Sequence, residues 1–578
     1  MTLELTRPRR WIALESLHLR RAVLVAFVLA IPSLYALHLW LDFRVAWVHA
    51  EAFASSSYIW NSPLNESFTD RLRKALDWKA FDPNVNRVRP LNDLADTIDT
   101  ISRPLLAEFF EPHPSMTPTA IVTAIVVPWL LFLYLRMAGV EEPHAAGLLA
   151  VFISSIGFLS VLIPSIHPAK KLTFLFLALA LYFGQRHART NGVGAYVGCL
   201  VCLWLGFFAD EMGLAAYAFV ALLIPSLVLI APTWKRVTYL LLPFVFLVII
   251  KWLLPWLYVT FSVHGAWDAL ADAKKFEIAR YLLEPNFYRV GAIHIATLLL
   301  TTVGVGAHDP VTEGVAFAAL VGGTALMVRP WRTSLRDPVR YRLVASALAV
   351  IAGGVWATLL DWYPFPEEVS YLGAFTFYYH SSLNVLVVIW LAFVWQRAFQ
   401  LASGRLPQLR QGILAAGAVV CGVITIANFQ LFQNINEVVQ LLHTYPYSTA
   451  ELHAQIFANL PQIRSASPGE VVQVKFVKDP AGIDQSFAAA ARTAFGSDWQ
   501  DNDFYRTFTA LHATPIMTDD DPGALLHAYY PYVSFSVEID LPSGERVKVY
   551  RPMGAPEPLE SRLPKAPRLP DLAAPSGA

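Results

Sequence analysis

Long apolar runs separated by short polar stretches dominate the pattern along this chain. Twelve segments qualify as candidate spans: 22–41, 118–136, 145–163, 171–185, 193–209, 213–231, 237–261, 291–306, 313–328, 341–360, 374–396 and 412–431. Most approach the ~20 residues that a helix needs to cross a bilayer. Backbone in lipid must satisfy its own hydrogen bonds, so such runs are predicted to be helices. The run 22–41 follows Arg7, Arg9, Arg10, Arg20 and Arg21 and shows no cleavage signature, so it is expected to stay as a first helix with its basic end in the cytoplasm.

The basic residues test this layout. Arg136, then Arg186 and Arg189, then Lys235 and Arg236 fall on the side shared with the N-terminus. Twelve full crossings would place the cluster Arg329, Arg332, Arg336, Arg340 and Arg342 on the other side. Segment 291–306, short and holding Gly291, His294, Gly304 and Gly306, is the weakest span and is read as re-entrant or surface-lying. About eleven crossings remain, which puts the C-terminus outside.

Polar segments fill in the plan. Residues 1–432 form the transmembrane part, within which 42–117 is a long first outer loop. There Leu64, Phe68, Leu72 and Leu76 recur every fourth residue beside Arg71, Arg73 and Lys74, as in a helix lying on a membrane surface. Residues 262–290 resemble it, with Trp267, Leu270, Ile278 and Tyr281 among charges. Residues 433–552 are predicted to be a small α+β domain: strands at Val471–Val477 and Tyr532–Ile539, then the turn Leu541–Gly544 into Val547–Tyr550, with helical patterns at 449–460 and 484–496. The proline-rich stretch 553–578 reads as a disordered tail.

Composition agrees: 55% of the residues are hydrophobic and 15% charged, against roughly 25% charged in soluble domains. The net charge is zero, so nothing points to nucleic acid. Cys199, Cys202 and Cys421 all lie in apolar runs; the C-x-x-C pair has no second pair and reads as packing, not as a metal site.

Charges at the outer ends of helices are costly and so carry the candidate chemistry. Asp42 directly follows the first helix, as a candidate for chemistry or as a helix-end charge facing water. Asp210 and Glu211 fill a turn so short that it pins both carboxylates between two helices; capping of the next helix is the alternative role. His167, Lys170 and Lys171 stand in an outer turn against the inside bias, suited to a lipid phosphate or to snorkelling. Arg87 and Arg89 sit beside Pro90 in the first outer loop, where they suit a bidentate grip on phosphate or an ordinary solvated turn. No Walker or dinucleotide loop, H-E-x-x-H or G-x-S-x-G occurs. No nucleotide cofactor is therefore expected.

With Asp42 after the first helix, the long loop 42–117 and the Arg-Val-Arg-Pro-Leu segment, the chain resembles the GT-C superfamily of polytopic glycosyltransferases. Phe43 stands where many members carry a second acid, and the Trp-Trp-Asp motif of oligosaccharyltransferases is absent. The resemblance implies transfer of a sugar from a polyprenyl-phosphate donor to a cell-envelope glycan, lipid or protein at the outer face of a bacterial-type inner membrane. It implies Asp42 as the catalytic base, and Arg87, Arg89, Lys170 and Lys171 as the grip on the donor phosphate. Asp210, Glu211 and His167 would orient the sugar or a divalent metal. The competing expectations are a transporter or flippase of lipid-linked saccharides, a polymerase or ligase of them, and a non-catalytic scaffold displaying the C-terminal domain.

Overall fold

The computed structural model describes residues 117–162, 168–210, 212–228, 231–263, 283–306, 310–328, 337–362, 383–405 and 410–443, with Ser33, parts of 89–99 and three strands near the C-terminus. Twelve helices carry most of this: α1 (Pro118–Met137), α2 (Glu142–Ser154), α3 (Ile156–Val161), α4 (Pro168–Thr190), α5 (Val193–Ala209), α6 (Met212–Leu223), α7 (Thr233–Val248), α8 (Pro285–Thr302), α9 (Pro310–Val328), α10 (Pro338–Trp362), α11 (Asn384–Arg405) and α12 (Arg410–His443). After α7 the chain stays helical to Val263 through two π-type turns. Among the described residues, five helices are long and apolar enough to cross a membrane: Pro118–Met137, Pro310–Val328, Pro338–Leu359, Asn384–Ala402 and Gly412–Gln433. This is the architecture of a helical membrane protein.

Local chemistry sets the ends of α1. Thr117 caps it by accepting from the Ala120 N–H at 3.3 Å, and Pro118 occupies the first turn, where its missing N–H costs nothing. Gly139 ends it at φ +90°, a conformation that side chains disfavour. The turn left by Gly139 is a meeting point. Gln185 of α4 donates to the Met137 carbonyl, Gln396 of α11 donates to that of Gly139, and Arg342 of α10 donates to that of Ala138. Arg397 reaches the Met327 carbonyl at the end of α9. The clusters around Arg136, Arg186, Arg342 and Arg397 therefore gather at one end of the bundle, as the charge bias requires.

Helix α8 gives the segment 291–306 its place. It does not lie on the surface: Val290, Gly291 and every residue from Ile293 to Thr302 are buried. Gly291 faces Thr358, and Ile295 sits against Gly354, so α8 runs antiparallel to α10 and starts at the end away from the arginines. Small residues are what allow so close an approach. The helix stops inside the bundle, where the Thr302 carbonyl accepts from Asn428 Nδ2 at 3.0 Å. The same amide lies 3.2 Å from both the Val151 carbonyl and Ser154 Oγ. Val151 is about 14 Å along α2 from the basic end at 1.5 Å per residue. The chain then turns through Gly304, at φ +78° and hard against the backbone of Ala427 and Asn428. Irregular backbone at such depth is tolerated when protein surrounds it. Helix α9 ends at the basic end, where the Met327 carbonyl meets Arg397. Burial within the bundle counts against the surface-lying expectation for this segment.

Near the C-terminus, β1 (Val471–Val477) pairs in parallel with β2 (Ser534–Asp540), which pairs antiparallel with β3 (Arg546–Arg551). The expected hairpin is present, with Asp540 opposite Arg546. The helical patterns 449–460 and 484–496, the amphipathic helix around Leu64–Leu76 and the tail 553–578 lie outside the described residues.

Candidate functional site

At the end of the bundle away from the arginine clusters, segments distant in sequence converge. The turn between α5 and α6 is the floor. Asp210 ends α5, and its Oδ1 accepts from the Met212 N–H at 3.0 Å, so the carboxylate does cap α6 as one reading of the turn expected. The two helices cross so tightly here that a Cβ on Gly213 would strike the backbone of Gly206 and Phe207. Gly213→Ala is therefore expected to cost about 1–3 kcal/mol by overpacking. Gly194→Ala, in open space on α5, is expected to be neutral or slightly stabilising. Thermal unfolding midpoints in detergent check both; equal midpoints would mean that the crossing is not tight.

The other oxygen of Asp210 collects two cations. Lys170 Nζ, from the first turn of α4, lies 3.0 Å from Oδ2, and Arg89 Nη1 lies 3.5 Å from it. Asp210 is only 1% exposed, whereas the side chains of Lys170 and Arg89 are 11% and 17% exposed. Burial alone would push the Asp210 carboxyl upward. The charges of Lys170 and Arg89 and the Met212 amide outweigh it and hold the group well below the usual carboxylate range.

A second pair lies alongside. Lys171 Nζ, fully buried, is 3.9 Å from Asp99 Oδ2. Asp99 also accepts from the Thr119 N–H at 2.9 Å and from the Thr119 hydroxyl. Asn92 Oδ1 accepts from the Ala169 N–H at 2.9 Å. Thus Asp99 and Asn92 satisfy first-turn amides of α1 and α4, two helices that open with proline. The described positions 90–92, 94–95 and 98–99 are helical, with Arg89 just before them. Asn92 and Asp99 thereby dock this stretch onto two helix N-termini, with Arg89 beside Asp210.

Four of the sequence-predicted site residues, Arg89, Lys170, Lys171 and Asp210, are thus brought to one end of the bundle. Asp42, Arg87, His167 and Glu211 lie outside the described residues. Asn92 and Asp99 are the residues that sequence reasoning missed, because their partners Ala169 and Thr119 are distant in sequence. Asp210 has both oxygens engaged, so its observed work is to hold two cations. Among the described residues, no three His, Cys, Asp or Glu side chains converge as metal ligands. Cys199 and Cys202 are buried in the helix packing, with Cys199 Sγ against Gly184.

Chemically, the cluster is three cations against two carboxylates. Both lysines stand in the first turn of α4, where the helix dipole already favours negative charge. Such a site stabilises an added anion, and Lys170 and Arg89 are its least buried members. No protein-family model matches the chain, and no curated protein matches it in sequence.

Proposed function

We propose that this chain is a membrane glycosyltransferase that takes a sugar from a polyprenyl-phosphate donor and passes it to a cell-envelope acceptor. The observation that carries this reading is the convergence of Arg89 and Lys170 on Asp210 at the bundle end opposite the arginine clusters. With those clusters facing the cytoplasm, the N-terminus is cytoplasmic, the site opens to the outer face and residues 433–578 are extracytoplasmic. A lipid-linked donor presents its phosphate at that level.

In the reaction, an acceptor hydroxyl oxygen attacks the anomeric carbon as the bond from that carbon to the phosphate oxygen breaks. The phosphate departs with the electron pair and is held by Arg89 and Lys170, with Arg87 beside them. The hydroxyl proton passes to Asp42 as general base. Asp210 keeps Lys170 and Arg89 in place, and Lys171, tied to Asp99, anchors the first outer loop. Orientation of the sugar, or of a divalent metal, falls to His167 and Glu211.

The test is transfer by the purified protein from lipid-linked donor. Arg89→Ala is expected to raise the apparent KM for donor about 10- to 100-fold, the worth of one charge-assisted hydrogen bond. Arg73→Ala, on the amphipathic helix expected from the sequence, should change it far less. Equal small effects would mean that only diffuse membrane electrostatics act. Unchanged envelope glycans in cells lacking the protein would reject the transferase itself.

A further inference from the structure

The charges of the outer cluster are arranged in depth. Asp210 is 1% exposed, whereas the side chains of Lys170 and Arg89, its partners at 3.0 and 3.5 Å, are 11% and 17% exposed. The carboxylate therefore lies behind its cations. In the second pair both members are buried, Lys171 fully and Asp99 nearly so, and Asp99 is also occupied by the amide and hydroxyl of Thr119. An anion arriving from the open side meets Lys170 and Arg89 before it meets either acid.

The balance of charge is positive. Among the described residues the cluster holds three cations and two carboxylates, an excess of one positive charge. Asp210 stays ionised through the neutral range, because its carboxyl is held well below the usual carboxylate range by Lys170, Arg89 and the Met212 amide. Lys170 and Lys171 stand in the first turn of α4 and Thr119 in that of α1, so two positive helix ends meet here as well.

Sugar transfer changes the charge that such a site has to hold. The phosphate of a lipid-linked donor is a diester with one negative charge. When the bond from the anomeric carbon to the phosphate oxygen breaks, that oxygen keeps the electron pair and the carrier becomes a monoester. A phosphate monoester carries about two negative charges above its second pKa of about 6. A second negative charge about 4 Å from one positive charge is favoured by up to roughly a thousandfold at an effective dielectric near 20, and salt reduces this.

We propose, on the basis of the transferase reading above, that the Arg89–Lys170 face binds the spent carrier, a lipid phosphate monoester, more tightly than the donor diester. The protein is thereby held by its own product. Sustained turnover then depends on a separate reaction that consumes the lipid monophosphate, either by esterifying it again or by carrying it back across the membrane.

Binding of farnesyl phosphate and of methyl farnesyl phosphate to the full chain in non-ionic detergent tests this, because the two share a chain and differ by one charge. At about pH 8 the monoester is expected to bind about tenfold tighter. At about pH 5 it takes up a proton, and the ratio should fall to within about twofold. Protonation of His167 in the same range would add positive charge and raise the ratio, so a fall belongs to the ligand. Lys170→Met removes the excess charge and should bring the two ligands within about twofold at about pH 8. Equal binding by wild type at that pH, or a ratio that does not fall on acidification, overturns the proposal. Transfer from lipid-linked donor is read separately. Transfer together with equal binding removes the product hold and leaves the transferase, whereas a tenfold preference without transfer leaves a lipid-phosphate site and removes the transferase.

Discussion

Asp210→Asn is expected to destabilise the protein by about 3–5 kcal/mol, the usual consequence of removing one member of a buried ion pair. Asparagine keeps an oxygen for the Met212 N–H, so the cap survives and the loss falls on the charge alone. Lys170 and Arg89 are left facing each other around a neutral amide. A double-mutant cycle with Lys170→Met separates pairing from cavity effects, because the two residues are in contact and should not behave additively. The pH dependence has a definite sign. Asp210 binds its proton more weakly in the folded chain than at the ordinary value of 3.8. Its contribution is therefore complete above about pH 4 and declines as pH falls further, where the unfolded chain takes up a proton that the folded chain refuses. The wild-type melting midpoint should drop between pH 6 and pH 3 more steeply than that of the asparagine variant. Matching midpoints and parallel pH profiles would show that Asp210 is only a solvated turn residue.

Asp42→Asn is the substitution expected to affect transfer most. General-base assistance is worth about 10² to 10⁴ in rate, or roughly 3 to 5 kcal/mol of barrier. The change preserves size and removes the charge, so insertion and melting should stay as in wild type while kcat falls. Glu51→Gln, farther along the outer loop, is the control and should be tolerated. Wild-type transfer by Asp42→Asn would make Asp42 a helix-end charge. The base would then be sought at Glu211, because Asp210 already serves Lys170, Arg89 and Met212.

The helices were readable because an apolar run in a membrane must close its own hydrogen bonds, whatever its neighbours are. The charged members of the outer cluster were readable for a related reason. Lys170 and Asp210 interrupt apolar sequence at the level where a charge is expensive, and that interruption alone marks them. Asn92 and Asp99 do not stand out. They lie in a polar stretch with several acids, and what distinguishes them is contact with Ala169, 77 residues away, and Thr119, 20 residues away. Pairing of that kind leaves no local trace. The C-terminal hairpin follows the same rule: β2 and β3 flank a Leu-Pro-Ser-Gly turn and were predicted, whereas the parallel partnership of β1 with β2 spans a long connection and was not. Asp210 shows how assignment can fail even when position succeeds. Its place in the turn was evident, but that its carboxylate is spent on Lys170 and Arg89 depends on where two other segments return.

The end of helix α8 inside the bundle also constrains how the protein is made. Its last carbonyl is satisfied by Asn428, which is 126 residues further along the chain. At about 5–20 residues per second, the ribosome needs roughly 6 to 25 s to deliver that partner after α8 emerges. Until then the Thr302 carbonyl lacks its Asn428 donor, although α10 and α11, made earlier, already pack on the helix. The seal at the end of α8 therefore closes only after α12 arrives, and it sets a minimum time for the bundle to become complete.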